Sequence, residues 1–269
     1  MSGPEHLVGI LGGMGPAATA EFYAKLIRRT PVTRDQDHLR VAIWADPTVP
    51  DRVGAVLGGT TDPYPAMLEG ARRLRDLGAT VAVMPCHTAH VFLPALVGDS
   101  GLRFLDMVGE TVAELERRDG AAGGIGLLGT RATLASGLYQ NRLRAERFDV
   151  VLPQETTQWQ VDLAIKKVKQ GNPRAAGQHL DNAVRAMART DASPIVLACT
   201  ELPLAARHLT PAGGPELLDP TDLLADAVIR ECRGTPPATG GYRAGQGRRD
   251  SGRGGGPAGR GRPGCRPAT

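Results

Sequence analysis

No stretch of this 269-residue chain approaches the roughly 18 uninterrupted apolar residues of a membrane-spanning helix, although 41% of its residues are hydrophobic. That excludes a helical span and leaves material for two buried cores of modest size. Met1 to His6 lack a basic segment, and the apolar run after them is one strand long, so no signal peptide is expected. Cysteine is scarce, with four in the chain. Two disulfides would consume them, but strand-end positions without a secretion signal favour free thiols in a reducing, cytoplasmic compartment.

Acidic residues and aromatics nearly vanish after residue 232. Residues 233–269 hold eight arginines against one acid, Asp250, and Tyr242 is their only aromatic. The formal net charge of +4 therefore belongs to this tail, and the body before it carries about −3. Twelve glycines and five prolines in the same 37 residues cannot bury enough apolar surface to offset ordering, so a disordered tail is expected. An RNA-touching Arg/Gly segment would interleave aromatics, and this one does not. No nucleic-acid partner follows for the body, and Cys265 is incidental.

What the body does contain is an internal echo. Val81-Ala-Val-Met-Pro-Cys86-His-Thr88 and Ile195-Val-Leu-Ala-Cys199-Thr200 are both apolar runs that end in cysteine, 113 residues apart. Gly9-Ile-Leu-Gly12 and Gly126-Leu-Leu-Gly129 echo each other at an offset of 117. Two echoes at nearly one offset indicate a duplicated unit, each half presenting one thiol at a strand end.

Alternating strand-like and helix-like segments predict an α/β fold of two similar Rossmann-like, flavodoxin-like parallel-sheet domains related by a pseudo-twofold, with the site in the cleft between them. Expected strands are 7–11, 41–45, 81–84, 104–107, 124–128, 149–152 and 195–198. Expected helices are 16–29, 64–77, 88–96, 108–118, 133–146, 158–170, 173–189 and 221–231. Residues 46–52 read as a proline-stiffened loop. The domains are expected at 1–112 and 113–214, with a C-terminal helix within 215–232 returning to cover the first.

Ligands of parallel α/β sheets bind beyond the carboxyl ends of the strands, where Cys86 and Cys199 are expected. Each also falls near the start of a following helix, whose free N–H groups and dipole are expected to bring a thiol into the working range. Cys232, at the end of the last helix, has no such context and reads as structural.

The segments Gly9-Ile-Leu-Gly-Gly-Met14-Gly15-Pro16, Arg34-Asp-Gln-Asp-His38, Pro50-Asp-Arg52, Met84-Pro-Cys86-x-Thr88-Ala-His90 and Cys199-Thr-Glu201 together resemble the aspartate/glutamate racemase superfamily, in its aspartate branch. The resemblance covers roughly residues 7–230. It implies racemisation without pyridoxal phosphate, other cofactor or metal: one thiolate removes an α-proton while the opposite thiol reprotonates the other face. Such a pair titrates as a unit. By the same resemblance Arg52 holds the distal carboxylate of a small acidic substrate, and Lys169 adds positive charge near the second thiol. Met14, Thr88, Thr130, Thr133, Thr200 and Glu201 complete the substrate-binding set, and the enzyme pairs as a homodimer. Each threonine has a plainer reading as a helix cap. Members usually carry asparagine after the first cysteine, where this chain has His87. An imidazolium there is expected either to pair with the Cys86 thiolate or to crowd the pocket and change which acid fits. His90 reads as structural.

Other functions compete. Gly13-x-Gly15-x-x-Ala18 loosely satisfies a dinucleotide fingerprint, but Asp35 falls in a loop and Asp46 comes too late to serve as its acid. The same glycines are expected to let the backbone approach a substrate. Maleate isomerisation, hydantoin racemisation and a catalytically inactive acid-binding role remain alternatives, while two cysteines argue against arylmalonate decarboxylation.

Overall fold

The first apolar run, Leu7–Gly12 (β1), is buried along nearly its whole length and takes the centre of a parallel sheet. Arg40–Ala45 (β2) pairs with it on one side and Val81–Val83 (β3) on the other, with Ile10 opposite both Ile43 and Val83. The second sheet repeats this order. Ile125–Gly129 (β4) lies between Val150–Val151 (β5) and Ile195–Ala198 (β6), all parallel, and Leu217–Leu218 (β7) extends the sheet beyond β6. β4 and β6 are buried throughout, as strands covered on both faces should be. The computed structural model describes residues 6–59, 61–118, 124–209 and 214–234. The expectation for the tail lies outside the described residues from 235 onward.

Helices cover these sheets where sequence and capping permit. Pro16–Arg29 (α1) opens on proline, whose missing N–H costs nothing in a first turn. It buries Ala18, Phe22 and Leu26 at helical spacing, and Thr30 ends it by donating its N–H and hydroxyl to the Leu26 carbonyl. Burying a side chain such as Phe22 contributes about 1.5–3 kcal/mol. Tyr64–Asp76 (α3) packs on β1 and β2, following the short helix Arg52–Val56 (α2). In the second half, Glu155–Lys169 (α8) and Pro173–Ala188 (α9) form an antiparallel pair over β4, β6 and the helix Leu202–Ala206 (α10).

The last helix, Pro220–Arg233 (α11), lies against α1 and against Met107–Arg117 (α5). Leu224, Ala225 and Val228 join Val8, Ile10, Phe22 and Val83 in one core. Lys25, buried in α1, is held by Asp219, by Asp222 at 2.8 Å and by the Thr221 hydroxyl at 2.7 Å. Half-buried Cys232 packs beside this core, and burial pushes its thiol up to about 11.

Four local expectations need correction. The helix expected at 88–96 is a 3-10 turn, Thr88–Phe92, followed by Leu93–Ser100 (α4), where Pro94 is accommodated in the new first turn. The strand expected at 104–107 is reduced to one bridge, Phe104 to Ala82, because Asp106 already caps α5 by accepting from Val108 N at 3.0 Å. The helix expected at 133–146 splits into Arg131–Ala135 (α6) and Gln140–Ala145 (α7), since Gly137 at φ 71° leaves helical space. The stiff loop ends earlier than expected: Asp51 caps α2 by accepting from Val53 N and Gly54 N.

Candidate active site

Both cysteines stand just past the strand that flanks the first strand of their sheet. Met84-Pro85 leads from β3 to Cys86, and Cys199 follows β6 directly. Both residues line one narrow cleft. The first half adds Met14, Arg52, His87 and Thr88 to its walls, and the second half adds Thr130, Lys169, Thr200 and Glu201.

Arg52 reaches the cleft because α2 begins on it. Its Nη1 donates to the carbonyls of Val49 and Pro50, both at 3.0 Å, while its buried Nε has no partner among the described residues. The guanidinium charge favours the Cys86 thiolate. From the other half, Lys169 closes the last turn of α8 and acts on Cys199 through its charge.

The thiols differ in their electrostatic neighbours. Burial raises the Cys86 pKa; the Arg52 charge and the Ala89 N–H oppose it, while Glu201 adds to it. Burial pushes Cys199 well above its ordinary value, and Glu201 pushes further by charge and by hydrogen bond. The Cys199 Sγ donates to Glu201 Oε2 at 3.0 Å, and the Thr200 hydroxyl approaches the same oxygen at 3.4 Å. The expected lowering by following helices does not prevail. A 3-10 turn follows Cys86 and a five-residue helix follows Cys199, and desolvation outweighs such short dipoles.

His87 also departs from expectation. Burial, with His90 beside it, pushes its pKa well below the usual range, and its Nδ1 lies 3.0 Å from the Tyr139 hydroxyl. The imidazole is thus neutral at ordinary pH and forms no imidazolium pair with Cys86. His90 is buried and fixed, with Nδ1 at 2.8 Å from the Cys86 carbonyl and Nε2 accepting from Met107 N at 3.4 Å.

The threonines form a cross-half triangle. Thr88 Oγ1 lies 3.0 Å from Thr130 Oγ1 and 2.9 Å from Thr133 Oγ1, and the latter two are 2.9 Å apart. Thr130 also caps α6 by accepting from Thr133 N at 3.1 Å. Thr133, the third vertex, is fully buried and does not line the cleft. A Cβ on Gly13 would sit 2.4 Å from the Asp46 backbone, and one on Gly12 would meet Thr19 at 2.3 Å. These glycines let β1 close on its own neighbours, and Met14 is the loop's side chain in the cleft.

Asp51 and Val53 line the cleft without having been singled out from sequence, although an acid before a helix start is a readable signal for Asp51. Tyr139 had no such signal, since its partner His87 lies 52 residues away. Among the described residues no three His, Cys, Asp or Glu side chains cluster as a metal site, and no helix is long and apolar enough to cross a membrane.

Comparison with known proteins agrees along the chain. The sequence profile of Asp/Glu/Hydantoin racemases matches residues 11–228. A broad-specificity amino-acid racemase from Bacillus subtilis is 28% identical over 209 residues, spanning 76% of this chain and 88% of its own. The aspartate racemase of Picrophilus torridus superposes with a TM-score of 0.75 at 32% identity, covering 84% of this chain and 94% of that one. Glutamate racemase from Francisella tularensis, at 12% identity and a TM-score of 0.62 over 85% of this chain and 81% of that one, shares the fold. The chain is therefore a racemase-class enzyme and belongs to the Asp/Glu/Hydantoin racemase family.

Proposed function

We propose that this enzyme interconverts the enantiomers of an acidic amino acid, aspartate first among them, by a two-thiol proton transfer that needs no cofactor or metal. The observation that carries the reading is that Cys86 and Cys199, at equivalent strand ends of a repeated sheet, line one cleft together with Arg52 and Lys169.

One thiolate takes the α-proton, and the opposite thiol gives its own proton to the other face of the flattened carbanion. Roles exchange for the other enantiomer. Arg52 Nε, buried without a partner, gives a distal carboxylate a charge-assisted donor. The hydroxyls of Thr88, Thr130 and Thr200 serve the α-carboxylate. Burial holds both thiols high, and the α-ammonium of an amino acid adds a positive charge beside them that draws their pKa down. Maleate and hydantoins lack that ammonium, which favours an amino acid. The aspartate racemase of Picrophilus torridus, similar across 94% of its length, supports aspartate as the acid.

The test incubates the purified full-length chain, without pyridoxal phosphate and under reducing conditions, with each enantiomer of aspartate, glutamate and neutral amino acids, and with maleate and a substituted hydantoin. Chiral chromatography reads the products. Loss of enantiomeric excess with aspartate is the expected result. Turnover of maleate or the hydantoin alone, or of nothing, would overturn the proposal.

A further inference from the structure

The two thiols of the cleft are not electrostatic equals, and the difference comes from one residue on each side. Arg52, the first residue of α2, lines the cleft with Cys86 and favours its thiolate by charge. Glu201 faces Cys199 from the same short segment, its Oε2 accepting the Sγ proton at 3.0 Å. Glu201 is itself only 5% exposed, and its position is constrained from the other half of the molecule. A Cβ on Gly15 would stand 3.2 Å from Oε1, so the glycine loop closes over that oxygen. The second oxygen is the one directed to Cys199 and Thr200.

We propose that Glu201 is a positioning residue that holds the proton on Cys199, so that Cys86 is the first of the two thiols to become a thiolate. This rests on the two-thiol reading above and adds an order to it. The other charged groups facing the pair do not reverse that order. Lys169 approaches Cys199 from the end of α8 but is exposed, so solvent screens it. Asp51 lines the same cleft but turns both carboxylate oxygens to the N–H groups that start α2. His87 and His90, beside Cys86, are buried and neutral.

In the reactive state Cys86 has given its proton to solvent and is the thiolate, while Cys199 is still a thiol. Cys86 accepts the α-proton of one enantiomer as the α C–H bond breaks, and Cys199 Sγ–H delivers its proton to the opposite face. The product state leaves a thiolate beside Glu201, and exchange with water then returns a proton to Cys199 while Cys86 loses one. Because the two enantiomers are equal in free energy, kcat/KM must be the same in both directions. The order therefore has to be read on the thiols and not on rates.

The experiment measures initial alkylation of each cysteine by iodoacetamide in the ligand-free, full-length protein as a function of pH, with peptide mass spectrometry separating the sites and Cys232 as internal reference. In the wild type Cys86 reacts at lower pH than Cys199. Glu201→Gln removes the charge and should raise the Cys199 rate at about pH 8 by about tenfold, equivalent to one pH unit. Cys86 should gain less and Cys232 should not change. Glu201→Asp, which keeps a carboxylate, should leave Cys199 the slower thiol and guards against a folding defect in the glutamine variant. Equal titration of the two thiols in the wild type, or Glu201→Gln without an effect on Cys199, would overturn the proposal. The readout needs no turnover, so a failed racemase assay and a failed thiol order are distinguishable.

Discussion

Thr88 and Thr130 belong to different sheets' loops, and their hydroxyl oxygens are 3.0 Å apart. With Thr133 they tie the halves together beside the cleft. Thr88→Val keeps the shape and removes one vertex, so Thr130 and Thr133 keep only each other and one buried hydroxyl proton loses its acceptor. The expected cost is about 1–3 kcal/mol, read as a lower denaturant midpoint with an unchanged slope, and Thr88→Ser should recover most of it. An unchanged midpoint in Thr88→Val would show that the triangle does not join the halves.

Arg52 is braced by two carbonyls and keeps its buried Nε for another partner. Lysine retains the charge but not the planar fork. Arg52→Lys is expected to raise the KM for aspartate by about tenfold or more, the range of a lost charge-assisted hydrogen bond. Arg52→Gln should also move Cys86 alkylation to higher pH, because a cation that favours its thiolate is gone. Steady-state kinetics and the alkylation profile check both, and an unchanged KM for aspartate in both variants would remove Arg52 from the binding site.

Burial depresses both His87 and His90 in the folded protein. The unfolded chain therefore binds protons first as pH falls, and stability is lost below the ordinary histidine value of about 6.5. Each histidine contributes a slope of at most about 1.4 kcal/mol per pH unit between its unfolded and folded pKa. Denaturation midpoints measured from neutral pH down to about 5 should fall for the wild type. His87→Asn should flatten the slope by one histidine's share. A flat wild-type profile would mean that the imidazoles are protonated in place.

The doubled frame was legible because its signals are local. Glycine loops at nearly one offset mark the first strand of each sheet, and apolar runs of strand length ending in cysteine mark the flanking strands and their thiols. The short helices were less so: α2 begins inside a proline-rich run that reads as loop, and one glycine, Gly137, separates α6 from α7. The protonation of the cleft was not legible at all. Helix starts after both cysteines suggested lowered thiols, but the depth of burial that reverses this arises only when the halves meet. His87 illustrates the same limit, because the Tyr139 hydroxyl that fixes its ring comes from the other half.

Incorporation of solvent deuterium at the α-carbon tests the two-thiol mechanism most directly. Wild type, Cys86→Ala and Cys199→Ala would each be incubated in D₂O with L- and with D-aspartate under reducing conditions, without added cofactor, and followed by proton NMR. The account predicts exchange accompanied by racemisation in the wild type, and racemisation reduced by at least about a hundredfold in each variant, the range for removing a general acid or base. Racemisation that survives in either variant would contradict it.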